Sequence, residues 1–236
     1  MGTLQTQVSS IPGFYEPFSA ISHLAGAGAF AVAAVVLLRR ARGDARRVAL
    51  FAVYSFTAVL LLSMSGVYHL LSEGSGREVL ARLDKAAIFA LIAGTHTPVQ
   101  GLFFRGMARW AGLVGMWVVT ATGITLVSVF HGDLPQGLLT SLFLALGWIA
   151  GASGLIAWRR LGKELRLLVA GGVVYSVGAV LLGLGWPNLV PGVVGYHELW
   201  HVAVLAALTL HWTFFYRHAQ VSMDGPPPDR RGSSRH

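Results

Sequence analysis

Long apolar stretches separated by short polar loops dominate the chain. Seven of these stretches are about 20 residues long, the length a helix needs to cross the hydrocarbon core of a bilayer. They cover residues 21–38, 48–71, 79–102, 110–130, 137–158, 167–184 and 195–216. Because lipid offers no partners for backbone polar groups, each stretch must satisfy its own hydrogen bonds as a helix. The pattern predicts an all-α fold, an integral membrane bundle of seven transmembrane helices.

Polar segments flank this helical region. Residues 1–18 contain no Lys or Arg and so lack the basic start of a secretory signal peptide, which favours a retained first span. Residues 19–217 are predicted to form the seven-helix transmembrane domain. Residues 218–236 form a basic tail rich in Gly, Pro and Ser, which we predict to be disordered.

Composition supports the membrane assignment. Hydrophobic residues make up 54% of the 236-residue chain and charged residues only 12%, whereas a soluble domain carries about 25% charged residues. So few charges exclude a soluble or a disordered protein. The absence of cysteine excludes disulfides, thiolate metal sites and cysteine nucleophiles.

The net charge of +8 reflects where Lys and Arg lie along the chain. Loops 39–47, 104–109 and 159–166, together with residues 217–236, hold 15 of the 18 Lys and Arg residues, and seven spans place all four segments on one side. Cytoplasmic loops are enriched in Lys and Arg. This asymmetry predicts an outside N-terminus and a cytoplasmic C-terminus, and it explains the charge without a nucleic-acid partner.

Ionisable side chains within spans are costly and usually functional. Six histidines lie in or near the spans, namely His23, His69, His96, His197, His201 and His211. His197 and His201 are four residues apart, so a helix places both imidazoles on one face, where a single metal ion can take both. Imidazole is a good zinc ligand.

Span parity suggests the remaining members of this site. Span two ends on the side of the membrane where spans three and seven begin, so His69 and Asp84 can approach the His197–His201 pair. Ser65 lies four residues before His69, on the same helix face. These residues converge at similar depth near the Lys- and Arg-poor side.

Three histidines with an open fourth position are typical of a catalytic zinc site. Zinc lowers the pKa of a bound water to about 7, and Asp84 is the candidate base that takes the proton. Ser65 is a candidate to orient a ligand or to donate a hydrogen bond to a developing oxyanion. Glu198, the acid of an HExxH pattern, ranks below Asp84 because it points away from the histidine face, and pairing with a helix end is its alternative.

Structural roles stay open for each of these residues. The three histidines can pack helices, Asp84 can pair with Lys85 or Arg82, and Ser65 can bond to its own helix backbone. His23, His96 and His211 are predicted to be interhelical hydrogen-bond partners. The pair Gly147 and Gly151 is predicted to let span five pack closely on a neighbouring helix.

At these residues the chain resembles the hemolysin III family of bacterial membrane proteins. That family is related to the progestin and adipoQ receptors, which include the adiponectin receptors, and more distantly to the alkaline ceramidases. The matching segments are ISHLAGAG at 21–28, SGVYH at 65–69, LDKAAIFALIAGTHTP at 83–98 and YHELWHVAVLAALTLH at 196–211.

The resemblance implies a seven-helix bundle in which His69, His197 and His201 hold zinc, with Asp84 and Ser65 beside it. It also implies a bacterial inner-membrane protein. The related ceramidases hydrolyse lipid amides and share the orientation predicted here, whereas the adiponectin receptors have the opposite one. Some members are linked to cytolysis and others to membrane lipid homeostasis. His96 stands where many relatives have Tyr.

Three functional classes follow. The leading hypothesis is a zinc-dependent membrane hydrolase that cleaves an amide or ester bond of a ceramide-like or other acyl lipid by a zinc-bound water. The second is a receptor-like sensor or a pore in which zinc is structural. The third is a haem protein with histidine axial ligands. The sequence leaves the oligomeric state open, with a homo-oligomer among the options.

Overall fold

The computed structural model describes residues 15–156, 162–190 and 194–220. In that part of the chain, seven α-helices are long and apolar enough to cross a membrane. They are α1 (Pro17–Arg40), α2 (Ala45–Leu70), α3 (Ser75–Phe103), α4 (Gly106–Val129), α5 (Gln136–Ile156), α6 (Leu165–Leu184) and α7 (Tyr196–His218). The all-α seven-helix fold predicted from the sequence is confirmed.

Local sequence signals set several helix ends. Pro17 occupies the first turn of α1, where its fixed φ suits a helix and its missing N–H removes no hydrogen bond. The Asp44 side chain caps α2 by accepting a hydrogen bond from the backbone N–H of Arg47 at 3.1 Å. Helix α3 begins at Ser75, before the apolar stretch itself, and so brings Arg77 into its first turns.

The helices pack mainly on their neighbours in sequence. Helix α1 also contacts α7, and α5 contacts both α3 and α6, so that α3 is enclosed by the other helices. Large side chains fill the space between α2 and α7, where Phe51 and Tyr54 meet Phe215 with ring centroids 5.8 and 4.7 Å apart. This core fixes the position of α7 relative to α2, the two helices that carry the histidine cluster.

A glycine permits the close crossing of α2 and α3. A Cβ atom on Gly94 of α3 would lie 1.9 Å from Oγ1 of Thr57 on α2, far inside van der Waals contact. The Thr57 hydroxyl is itself held by a 3.0 Å hydrogen bond to the carbonyl of Tyr54. Glycine is therefore required at this crossing.

The expectation for Gly147 and Gly151 is wrong. A Cβ atom on Gly147 would meet nothing within 4 Å, and one on Gly151 would meet only Trp148 of the same helix at 3.9 Å. Both residues are exposed and line a partly open cavity between the helices. Helix α5 approaches α6 instead at Gly154, where an added Cβ would lie 3.3 Å from Leu165. A glycine pair makes one helix face smooth, but it does not decide whether a helix or a void lies opposite.

The predicted terminal segments fall largely outside the described residues. Residues 15–18 are the described part of the predicted N-terminal segment, and its last two residues belong to α1, which begins at Pro17. Helix α7 continues to His218, the first residue of the predicted tail, and residues 221–236 lie outside the described part of the chain.

Candidate metal centre

A partly open cavity of about 560 Å³ lies between the helices. Helices α2, α3, α5, α6 and α7 line it, and α1 contributes His23. The five residues singled out by the sequence all border it, namely Ser65, His69, Asp84, His197 and His201. The structure therefore brings the predicted site residues together in one chamber.

Three imidazoles converge at this site. Nε2 of His197 lies 3.1 Å from Nε2 of His201 and 3.4 Å from Nε2 of His69. Two nitrogens bound to one tetrahedral zinc at about 2.0–2.1 Å are separated by roughly 3.3 Å. The three histidines thus have the spacing of ligands to a single metal ion, and they can hold one. Because their Nε2 atoms face one another directly, no space remains between them for a haem macrocycle.

The start of α7 orients the His197–His201 pair. Gly195 caps the helix, and its backbone N–H donates to Oε2 of Glu198 at 2.9 Å. Oε1 of Glu198 lies 3.4 Å from the Ser19 hydroxyl of α1. Glu198 thus has the helix-end contacts that the sequence offered as its alternative role.

Ser65 and Asp84 border the cavity from α2 and α3. Ser65 is buried one helical turn before His69, and its hydroxyl is close enough to interact with the Asp84 carboxyl. Asp84 also interacts electrostatically with His69. The arrangement places a carboxylate and a hydroxyl beside three convergent imidazoles.

Glu16 is a further residue of the site that the sequence reasoning missed. Its Oε2 lies 2.5 Å from Nδ1 of His69, and its Oε1 lies 2.5 Å from a guanidinium nitrogen of Arg77. Burial raises the pKa of the Glu16 carboxyl, but the hydrogen bond and charge of His69, with His197 and Arg77, outweigh burial and bring the pKa to about 2. The only sequence signal was an acid directly before the proline that starts α1.

The other three histidines differ in their contacts. Nε2 of His211 donates a 3.1 Å hydrogen bond to the Leu168 carbonyl of α6, the interhelical bond that was predicted. His23 contacts His201 through its ring, with centroids 3.9 Å apart, and neither of its ring nitrogens has a hydrogen-bond partner within the described residues. His96 lines the cavity from α3 and interacts with backbone groups of Gly112 in α4 and Ala150 in α5, the interhelical role that was predicted.

Beyond the histidine cluster the cavity is mainly apolar. Its walls there are formed by side chains such as Leu91, Val99, Phe143, Leu144 and Leu168. Gly147, Gly151 and Gly172 contribute no side chain, which widens the chamber. The site therefore combines a polar end with an apolar chamber inside the helix bundle.

Comparison with known proteins agrees with this architecture. A family model described as "Haemolysin-III related" matches residues 14–212, which include every residue of the site. "Hemolysin-3" of Bacillus cereus is 31% identical over 206 residues, covering 85% of this chain and 91% of that protein. "Hemolysin-3 homolog" of Bacillus subtilis (strain 168) is 29% identical over 168 residues, covering 69% and 74%. The chain, an integral membrane protein of seven helices, belongs to the haemolysin-III related family.

Proposed function

We propose that the protein is a zinc-dependent hydrolase that cleaves the amide or ester bond of a membrane lipid. The observation that carries this proposal is the convergence of three histidine Nε2 atoms at the polar end of a largely apolar cavity. A metal site alone is compatible with a structural role. A metal site beside a carboxylate, a hydroxyl and a chamber suited to an acyl chain is what lipid hydrolysis requires.

Zinc is the metal proposed because the donors are all imidazoles and number three, which leaves one coordination position open. Bound there, zinc supplies a Lewis acid for a carbonyl and a water activated near neutral pH. The protein's own acid–base group is Asp84, which takes a proton from the attacking water and returns it to the leaving amine or alcohol. The Ser65 hydroxyl orients the Asp84 carboxylate or donates to the carbonyl oxygen.

The cavity supports a substrate with an acyl chain. Its volume of about 560 Å³ lies within the range of small-molecule sites, and its apolar walls extend from the histidine cluster between α3, α5 and α6. An acyl chain buried along these walls would leave its amide or ester carbonyl at the polar end. A ceramide-like lipid from the surrounding membrane has this chemistry.

A second candidate is a pore or a receptor-like sensor in which the metal is structural. The names of the two Bacillus relatives, hemolysin-3 and its homolog, favour this alternative. A pore requires a continuous polar path, and the mainly apolar cavity lining beyond the histidine cluster weighs against such a path through the bundle. The hydrolase is therefore the better supported of the two.

The test combines metal content with lipid turnover on purified protein. We expect about one zinc per chain and release of fatty acid from a panel of ceramides and acyl esters. Asp84→Asn should keep zinc and lower turnover by about 10²–10⁴-fold, the usual contribution of a general base. Asp133→Asn is the matched control, because it removes an exposed carboxylate that does not border the cavity.

The outcomes separate the two candidates. Unchanged turnover in Asp84→Asn would remove Asp84 from the mechanism. Zinc without turnover, together with ion flux through liposomes that survives loss of the histidines, would replace the hydrolase with the pore.

A further inference from the structure

We propose that Glu16 is a positioning residue of the metal centre, whose carboxylate holds the His69 imidazole through Nδ1 so that Nε2 faces the other two histidines. Arg77 in turn holds the carboxylate. This inference rests on the metal site of the proposed function and assigns a role to two residues outside the ligand set.

The hydrogen bond to Glu16 determines the tautomer of His69. A carboxylate can only accept a hydrogen bond, so Nδ1 of His69, 2.5 Å from Oε2 of Glu16, must carry the proton. In the neutral ring Nε2 then keeps its lone pair, which is the form that binds a metal. The lone pair points into the cluster, where Nε2 of His197 lies 3.4 Å away.

The contact with Glu16 distinguishes His69 from His201. Nδ1 of His201 has no hydrogen-bond partner within the described residues, so its ring is positioned by packing alone, including the contact with His23. His69 is also the only ligand of the three that does not come from α7. Its ring must be oriented independently of that helix, and Glu16 provides the orientation.

Backbone hydrogen bonds fix the position of Glu16 relative to the end of α2. The Glu16 N–H donates to the His69 carbonyl at 3.0 Å, and the Tyr15 N–H donates to the Leu70 carbonyl at 3.3 Å. The residues that precede α1 are thereby fixed against the last turn of α2. The Glu16 carboxylate consequently reaches His69 from a defined position.

Arg77 completes this support from α3. One guanidinium nitrogen donates to the carbonyls of Tyr68 and Leu71 at 2.9 and 2.7 Å, which satisfies the C-terminal end of α2. The other nitrogen holds Glu16. The guanidinium also lies over the rings of Tyr15 and Tyr68, 4.2 and 4.4 Å from their centroids. Arg77 thus links three chain segments around a single carboxylate.

A carboxylate on the second nitrogen of a metal-binding histidine fixes the ring and increases the basicity of the ligand. Loss of such a partner usually weakens metal affinity 10- to 100-fold. We therefore expect Glu16→Gln to weaken Zn²⁺ binding by this factor, measured by chelator competition on the purified full-length protein. Co²⁺ bound to the same variant should show a changed visible absorption spectrum, because the geometry at the metal is altered.

Glu73→Gln is the matched control. Glu73 lies on the same side of the protein and is exposed, and it accepts a hydrogen bond from the Tyr15 hydroxyl at 2.8 Å instead of contacting a histidine. The Glu73→Gln substitution removes the same charge as Glu16→Gln, and it should leave the Zn²⁺ affinity and the Co²⁺ spectrum as in the wild type. Glu16→Asp keeps the charge but shortens the side chain by one methylene, and it should also weaken binding.

The positioning role would be overturned if folded Glu16→Gln kept the wild-type Zn²⁺ affinity and an unchanged Co²⁺ spectrum. If Glu16→Gln does not fold, the same result in Glu16→Asp would overturn it. Either result would leave the hydrolase proposal intact. A wild-type protein that binds no Zn²⁺ would overturn both. Equal affinity losses in Glu16→Gln and Glu73→Gln would reduce the effect to surface charge and also overturn the inference.

Discussion

His201 and His211 lie on the same helix, are both buried and have different partners. Nε2 of His201 faces the other two imidazoles, whereas Nε2 of His211 is bonded to the Leu168 carbonyl. We expect His201→Ala to lose the metal and His211→Ala to retain it. Metal content of the two purified variants, measured by plasma mass spectrometry, tests this expectation.

The same pair separates metal binding from stability. His211→Ala removes the interhelical hydrogen bond to the Leu168 carbonyl, which should cost about 0.5–1.5 kcal/mol. Thermal unfolding of the two metal-free variants in detergent should therefore show a lower midpoint for His211→Ala than for His201→Ala. Metal loss from His211→Ala with an unchanged midpoint would contradict the assignment of the two roles.

The sequence identified the three histidines that converge in the structure, but not Glu16, which contacts His69. His197 and His201 could be found because a spacing of four has a fixed meaning on a helix. Ser65 and His69 could be found by the same rule, and span parity brought the two pairs together. Glu16 could not, because its approach to His69 depends on how the segment before α1 packs against the end of α2. No local spacing in the sequence encodes that contact.

The crossing of α2 and α3 depends on Gly94. Gly94→Ala would force its Cβ into the Thr57 side chain, so the two helices would have to separate. Overpacking of this kind usually costs about 1–3 kcal/mol. We expect a lower unfolding midpoint in detergent and, because α2 and α3 carry His69 and Asp84, weaker Zn²⁺ binding.

Gly28→Ala provides the control for this crossing. Gly28 lies in the middle of α1, and a Cβ there would meet nothing within 4 Å. Alanine is the better helix former by roughly 1 kcal/mol, so this variant should be neutral or slightly stabilised. If both substitutions lowered the midpoint equally, close packing at Gly94 would not be the cause.

The elements themselves could largely be predicted from the sequence, because a membrane-spanning helix is defined by its own length and apolarity. What surrounds each helix could not. Gly94 and Gly147 are both glycines in spans, yet one lies against Thr57 and the other borders a void. The difference arises from how far α5 stands from its neighbours, which depends on the packing of the whole bundle.

The cavity is a property of the whole molecule, and its shape predicts substrate selectivity. Gly147 and Gly151 leave space in its wall, so Gly147→Leu or Gly151→Leu should fill part of it. We expect these variants to lose activity on long acyl chains while retaining it on short ones. Turnover measured across a series of chain lengths tests this.

Gly115→Leu is the matched control for the cavity. Gly115 lies on α4, where an added Cβ meets nothing within 4 Å, and it does not border the chamber. This variant should keep the wild-type chain-length profile. A uniform loss of turnover at every length in the cavity variants alone would mean that the chamber does not bind the acyl chain.

The orientation of the molecule decides on which side of the membrane the candidate metal centre lies. With seven helices the termini are on opposite sides, and the end of α2 and the starts of α3 and α7 share the side that is poor in Lys and Arg. Positive loops remain in the cytoplasm, so this side should face outward. Because the chain has no cysteine, Ser72→Cys and Met107→Cys provide single labelling sites. Both residues are exposed; Ser72 lies just before α3 and Met107 in the first turn of α4, so they are separated by the full length of α3. An impermeant maleimide should label Ser72→Cys in intact cells and Met107→Cys only after permeabilisation. The reverse pattern would place the metal centre toward the cytoplasm, and lipid hydrolysis would then act on the inner leaflet.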